Sequence, residues 1–216
     1  MGLNESAPRR RFADVISTEA SLRQVIGEPS KLVLDKVVTR LDEHCRQFIG
    51  KSPFVLVATS GQSGLLDISP KGDPAGFATV LDDRTLALPD RPGNRRVDTF
   101  RNILENPNVG LIFLVPGRRD TLRVSGEAEI VRDADLRAGM AVKGRVPELA
   151  LVLHVERVLF HCAKATIRSS LWEPAGWPDA SAVSSPAESL LAHARPQGTV
   201  ADMQKLIEDD IRERLY

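Results

Sequence analysis

Cysteine is nearly absent: Cys45 and Cys162 are the only two in 216 residues. Two thiols build neither a disulfide framework nor a zinc site, which takes about four ligands. Each follows a histidine, His44 and His161, and adjacent residues are poor joint ligands on a helix or strand. The expectation is two reduced, structural thiols and no metal. No run of about 18 apolar residues occurs, so no spanning helix and no membrane partner are expected. Charge of one sign is missing too. The 29 basic and 29 acidic side chains cancel, which removes the electrostatic case for a nucleic-acid partner. Gly-x-Gly-x-x-Gly and Walker A sequences do not occur, and no Ser-His-Asp, Cys-His or paired-carboxylate set stands out. Arg9-Arg10-Arg11 lacks the apolar stretch of an export signal. Met1-Gly2-Leu3-Asn4-Glu5-Ser6 matches the short N-myristoylation pattern, which we treat as chance. The expected location is the cytoplasm.

What is present is ordinary for a globular chain: 42% hydrophobic and 27% charged residues. The length fits one domain with extensions, able to bury roughly 70% of its unfolded surface. A loose arm is expected over 1–16 and a short helix over 18–26, stopped by Gly27. Leu34, Val37, Val38, Leu41, Cys45, Phe48 and Ile49 form one apolar stripe, which predicts a single helix from Ser30 to Ile49 with Gly50 as its stop. Phe54 to Thr59 is a continuous apolar run and predicts a strand buried on both faces. Strands follow at 65–69, 76–81, 85–88, 109–115, 121–130 and 150–160. Gly126 interrupts the alternation of the 121–130 strand and predicts a bulge. Helices are expected over 94–105, from an Asp133 cap to Gly144, and over 163–171. Residues 174–198 have linker composition. Thr199 and Asp202 resemble a capping pair for an amphipathic helix carrying Met203, Leu206, Ile207, Ile211 and Leu215. Strands joined by tight turns with few helices between them favour a mainly β antiparallel barrel over a doubly wound sheet.

One stretch carries chemistry. Pro89-Asp90-Arg91-Pro92-Gly93-Asn94-Arg95-Arg96 joins a strand to a helix that Asn94 is placed to cap. Two prolines and a glycine fix such a loop. Arginines at a helix N-terminus suit a phosphate, because free N–H groups and guanidinium forks both bind its oxygens. Lys71 joins them if the 65–69 and 85–89 strands are neighbours. The competing reading is a solvated turn whose arginines pair with Asp90 and Asp98.

Six ordered motifs run through the same region: Phe54 to Thr59, Asp67 to Asp73 (DISPKGD), Pro89 to Asn94 (PDRPGN), Arg101 to Pro107 (RNILENP), Leu111 to Gly117 (LIFLVPG) and Thr121 to Gly126 (TLRVSG). On these the chain resembles the pyridoxamine 5′-phosphate oxidase-like family of FMN-binding split barrels, in a bacterial subfamily with the PDRPGN loop. The resemblance implies a Greek-key split β-barrel over 53–173, after a helical extension over 1–52 and before the linker and helix of 174–216. It implies FMN held at the interface of a homodimer, and redox chemistry on a small molecule. Lys71, Arg91, Asn94 and Arg95 would hold the phosphate. Asp67, Ser69, Leu88, Pro89 and Asp90 would line the ring or ribityl chain, and Thr121 and Arg123 would contribute across the dimer. Arg168 and Trp172 are candidates for closing the site; a packing role for Trp172 and a surface arginine fit equally. The oxidases' Arg-x-His pattern is broken here, since Ser170 stands two residues after Arg168. Pyridoxamine 5′-phosphate is therefore not the expected substrate. A flavin-binding module without turnover, or a relative using haem or deazaflavin, are the alternatives; His161 is the nearby candidate haem ligand.

Overall fold

A computed structural model describes residues 12–216. Arg9 to Arg11, the myristoylation-like stretch and most of the expected N-terminal arm lie outside those residues. The chain divides into two compact units, one up to Lys36 and one from Val37 to Tyr216.

The first unit holds α1 (Glu19–Ile26) and α2 (Lys31–Asp35). The Thr18 hydroxyl caps α1 by accepting from the Ser21 amide, and Gly27 closes it at φ 79°. The second unit begins with an extended segment and α3 (Glu43–Lys51). The sequence predicts one helix from 30 to 49, and the structure breaks it in two. Val37, Val38 and Thr39 are β-branched and favour extended backbone, and Val38 exchanges backbone hydrogen bonds with Val158 at 3.0 and 2.7 Å. Asp42 then starts α3 by accepting from the Cys45 amide at 2.9 Å. That bond holds the Asp42 carboxyl below the ordinary range, while burial pushes the Cys45 thiol up to about 12. Cys45 is thus an inert core residue, whereas Cys162 is exposed.

The rest runs β1 (Phe54–Ser60), β2 (Leu66–Gly72), β3 (Thr79–Val80), β4 (Thr85–Pro89), α4 (Asp98–Glu105), β5 (Asn108–Leu114), β6 (Thr121–Val131), α5 (Ala134–Gly139), β7 (Ala150–His161), α6 (Lys164–Arg168), α7 (Pro186–Ala194) and α8 (Val200–Arg214). The strands form one seven-stranded sheet in the order β2-β1-β5-β6-β7-β4-β3. Every pairing is antiparallel. With its flanking helices this is the mainly β, split-barrel architecture expected. The core gathers Ile49, Val55, Val57, Leu86, Leu111, Phe113, Leu122, Val124 and Leu153. β1 is not buried on both faces: Val55, Val57 and Thr59 point into the core, while Leu56 and Ala58 are half-covered.

Gly126 does mark a bulge. The β6–β7 register shifts between Ser125 and Gly126, and a Cβ at Gly126 would sit 1.9 Å from the His154 carbonyl oxygen. The expected linker of 174–198 contains α7, started by a reciprocal capping box of Ser185 and Glu188 with a proline in its first turn. α8 has its capping box at Thr199 and Asp202. Of its apolar stripe only Met203 is buried; Leu206, Ile211 and Leu215 are exposed.

Candidate cofactor site

A cavity of about 650 Å³ opens beside β2, within the size range of small-molecule sites. Strand alternation supplies its first wall. Asp67, Ser69 and Lys71 share one face of β2 and line the cavity. Asp67 is held in place because Asn102 of α4 donates one amide hydrogen to it at 2.7 Å and reaches Thr59 at 3.1 Å.

The 90–97 loop makes the second wall. Its arginines have three different surroundings. Arg91 Nε donates to Asp73 Oδ2 at 2.5 Å and its Nη2 to the Met140 carbonyl at 2.9 Å; the Asp73 side chain is fully buried. Arg91 is thereby committed to a buried ion pair at the cavity edge. Arg96 turns to Asp98 at 2.7 Å, the pairing a solvated turn would give. The side chains of Arg95 and Lys71 make no hydrogen bond or ion pair among the described residues, and both line the cavity.

The backbone of this loop is unusual. Arg95 and Val97 adopt φ 60° and 53°, a region that β-branched residues rarely enter and that clusters at binding sites. Asn94 does not cap the helix. Its Oδ1 accepts from the Arg96 amide at 3.0 Å, so the chain turns once more and α4 starts at Asp98, four residues later than the sequence predicts. Among the described residues no side chain caps α4, and its first residues, Asp98, Thr99 and Phe100, line the cavity. Asp90 is half-buried, and that burial raises its carboxyl above the ordinary value, with Lys71 and Arg91 pulling it down.

The third wall was not legible in advance. Arg145 to Glu148, Arg214 and Tyr216 complete the lining. Other named residues lie elsewhere. Leu88 is buried in the core, and Pro89 is buried at the end of β4, paired with Ala150. Thr121 and Arg123 lie on β6 outside the cavity. Arg168 closes α6 on the surface, and the Trp172 indole donates to the Arg118 carbonyl at 2.6 Å, so it packs on the β5–β6 turn. His161 pairs with Thr121 at the exposed end of β7 and does not line the cavity.

Residues 41–162 match the family model described as pyridoxamine 5′-phosphate oxidase. The chain belongs to the pyridoxamine 5′-phosphate oxidase family. Among solved structures, a HupZ variant from Group A Streptococcus is 22% identical, with 56% of this chain and 99% of that one covered and a TM-score of 0.46. A candidate pyridoxamine 5′-phosphate oxidase from Lactobacillus delbrueckii is 25% identical over 56% and 95% of the two chains, at a TM-score of 0.45. General stress protein 26 from Bacillus anthracis is 16% identical over 53% and 88%, at 0.42. No curated protein matches the chain. Among the described residues no helix is long and apolar enough to cross a membrane, and no cluster of His, Cys, Asp and Glu has metal-binding proximity.

Proposed function

We propose that this family member is an FMN-binding flavoprotein of the cytoplasm, and an oxidoreductase acting on a small organic molecule. One observation carries the reading. Two cations that make no hydrogen bond or ion pair among the described residues, Lys71 and Arg95, face a cavity that also receives the uncapped start of α4. That donor set fits a terminal phosphate: guanidinium and ammonium groups supply charge, and the free amides of a helix start supply directed hydrogen bonds. Asp67 and Ser69 offer polar contacts along the β2 wall for a ribityl chain. Flavin, when bound, supplies the electron chemistry; the protein supplies binding, orientation and electrostatic tuning.

The proposed assembly is a homodimer with the cofactor at its interface. β2 is an edge strand, and it exposes Leu66 at 69% and Ile68 at 65%; Ile68 also borders the cavity, whereas Leu66 does not. An exposed apolar edge strand is a surface that folded proteins usually cover. The same strand would then supply both the cavity wall and the dimer contact.

The test compares Arg95→Ala with Arg91→Ala, titrating FMN and riboflavin into each. Loss of a charged hydrogen-bond partner costs about 1.5–3 kcal/mol, so Arg95→Ala should weaken FMN roughly 10- to 100-fold and leave riboflavin nearly unchanged. Equal losses for the two ligands would remove the phosphate assignment. Arg91→Ala should behave differently, because it strands the buried Asp73 carboxylate. The expected result is a stability loss of about 3–5 kcal/mol, read by denaturant unfolding of the cofactor-free protein.

A further inference from the structure

Tyr216 is the only tyrosine in the chain, and three groups hold three different parts of it. Its phenol donates to Asp73 Oδ1 at 2.9 Å, while Oδ2 of the same carboxylate accepts from Arg91. The Lys143 ammonium stands 4.6 Å from the ring centroid. The Arg145 guanidinium donates to the Tyr216 carbonyl oxygen. The two cations sit on a rigid support. Val142 and Arg145 exchange backbone hydrogen bonds at 3.1 and 2.9 Å, with Lys143 and Gly144 left-handed between them at φ 50° and 75°, as a two-residue hairpin turn requires. α8, which carries Tyr216 here, packs on α7 and has Met203 as its one buried residue, near the far end of the helix. Tyr216 and Arg145 both line the cavity.

We propose that Tyr216 is a latch on this cavity, and that ligand entry and exit require its release from Asp73, Lys143 and Arg145. The phenol's bond to the buried Asp73 carboxylate is the strongest of the three; Lys143 and Arg145 are exposed and hold the ring and carbonyl more weakly, so the latch opens without unfolding the barrel. The Asp73–Arg91 pair is the fixed post it closes on. α8 is the arm, hinged where Met203 anchors it. The proposal rests on the flavin reading only for the identity of the ligand used to watch it.

The experiment uses the full chain and its Tyr216→Ala and Tyr216→Phe variants. Stopped-flow quenching of FMN fluorescence gives association and dissociation rates. Tyr216→Ala should raise both by roughly tenfold or more, since it removes one hydrogen bond to a charged acceptor and one exposed cation–π contact, and change the equilibrium constant by less than about threefold. Tyr216→Phe, which keeps the ring, should fall between. Unchanged rates, or an affinity change carried by dissociation alone, would overturn the latch. A wild-type chain that binds no FMN would overturn the flavin reading instead. The latch is then judged without ligand, by nitration of the single tyrosine with tetranitromethane in wild type and in Arg145→Ala. Faster nitration in the variant supports it, and equal rates overturn it.

Discussion

Lys71, Asp90 and Arg91 form a charge cluster on which burial and attraction act in opposite directions. Burial raises the Asp90 carboxyl above its ordinary 3.8, and the two cations only partly offset that. The folded protein therefore holds the Asp90 proton more tightly than the unfolded chain does. By linkage, stability falls as pH rises through 3.8 towards the folded-state value, leaving a deficit at neutral pH. Asp90→Asn should remove it: a higher Tm at pH 7 and no gain at pH 3, measured by thermal scans at both. A gain of equal size at the two pH values would exclude titration as its source. Lys71 is tied to this loop in the sequence only through an expected pairing of the 65–69 and 85–89 strands, which are not neighbours in the sheet; Arg91 and Arg95 were legible from spacing. Which arginine stays free was not. Arg91 is taken by Asp73, 18 residues away in sequence, and Arg96 by Asp98, and only the fold decides between such partners. Tyr216 had no local signal at all; its place at the cavity follows from how α8 returns to the barrel.

Elements were read best where the chemistry is local. The Thr199 and Asp202 capping pair and the stop at Gly27 depend on residues within one turn, and both are present. The Ser185–Glu188 box is equally local but sits in a stretch of Pro, Ala and Ser whose composition imitates a linker. The failures were tertiary. A perfect helical stripe from Leu34 to Ile49 was broken because Val38 has a better partner in Val158. The α4 start moved because Asn94 satisfies its own turn. Gly126 is the case in which one residue fixes the form of two strands. An added methyl would meet the His154 carbonyl carbon and oxygen and the Glu156 nitrogen, all backbone, so no side chain can move aside. Gly126→Ala should cost about 3 kcal/mol, the upper end of overpacking, as a lower urea midpoint. A midpoint unchanged from wild type would mean the bulge relaxes freely. Gly110, whose nearest contact for a Cβ is 3.9 Å, is the control.

At the scale of the whole molecule, the proposed dimer is testable through the exposed face of β2. Leu66→Glu places a charge on the exposed surface of β2 at a residue outside the cavity lining and leaves the wall of Asp67, Ser69 and Lys71 in position. Sedimentation at micromolar concentration should show a dimer for wild type and a monomer for the variant, with FMN affinity lost alongside. A wild-type monomer that binds FMN stoichiometrically would end the interface assignment. The sheet order has a further consequence, in time. β3 and β4 are made early but pair with β7 and with each other only, and about 60 residues separate the end of β4 from the start of β7. At about 5–20 residues per second of synthesis, the β3–β4 hairpin waits roughly 3–12 s on the ribosome with Leu86 and Leu88 uncovered. Nascent chains stalled just before Ala150 should therefore be the stage at which this protein most needs a chaperone.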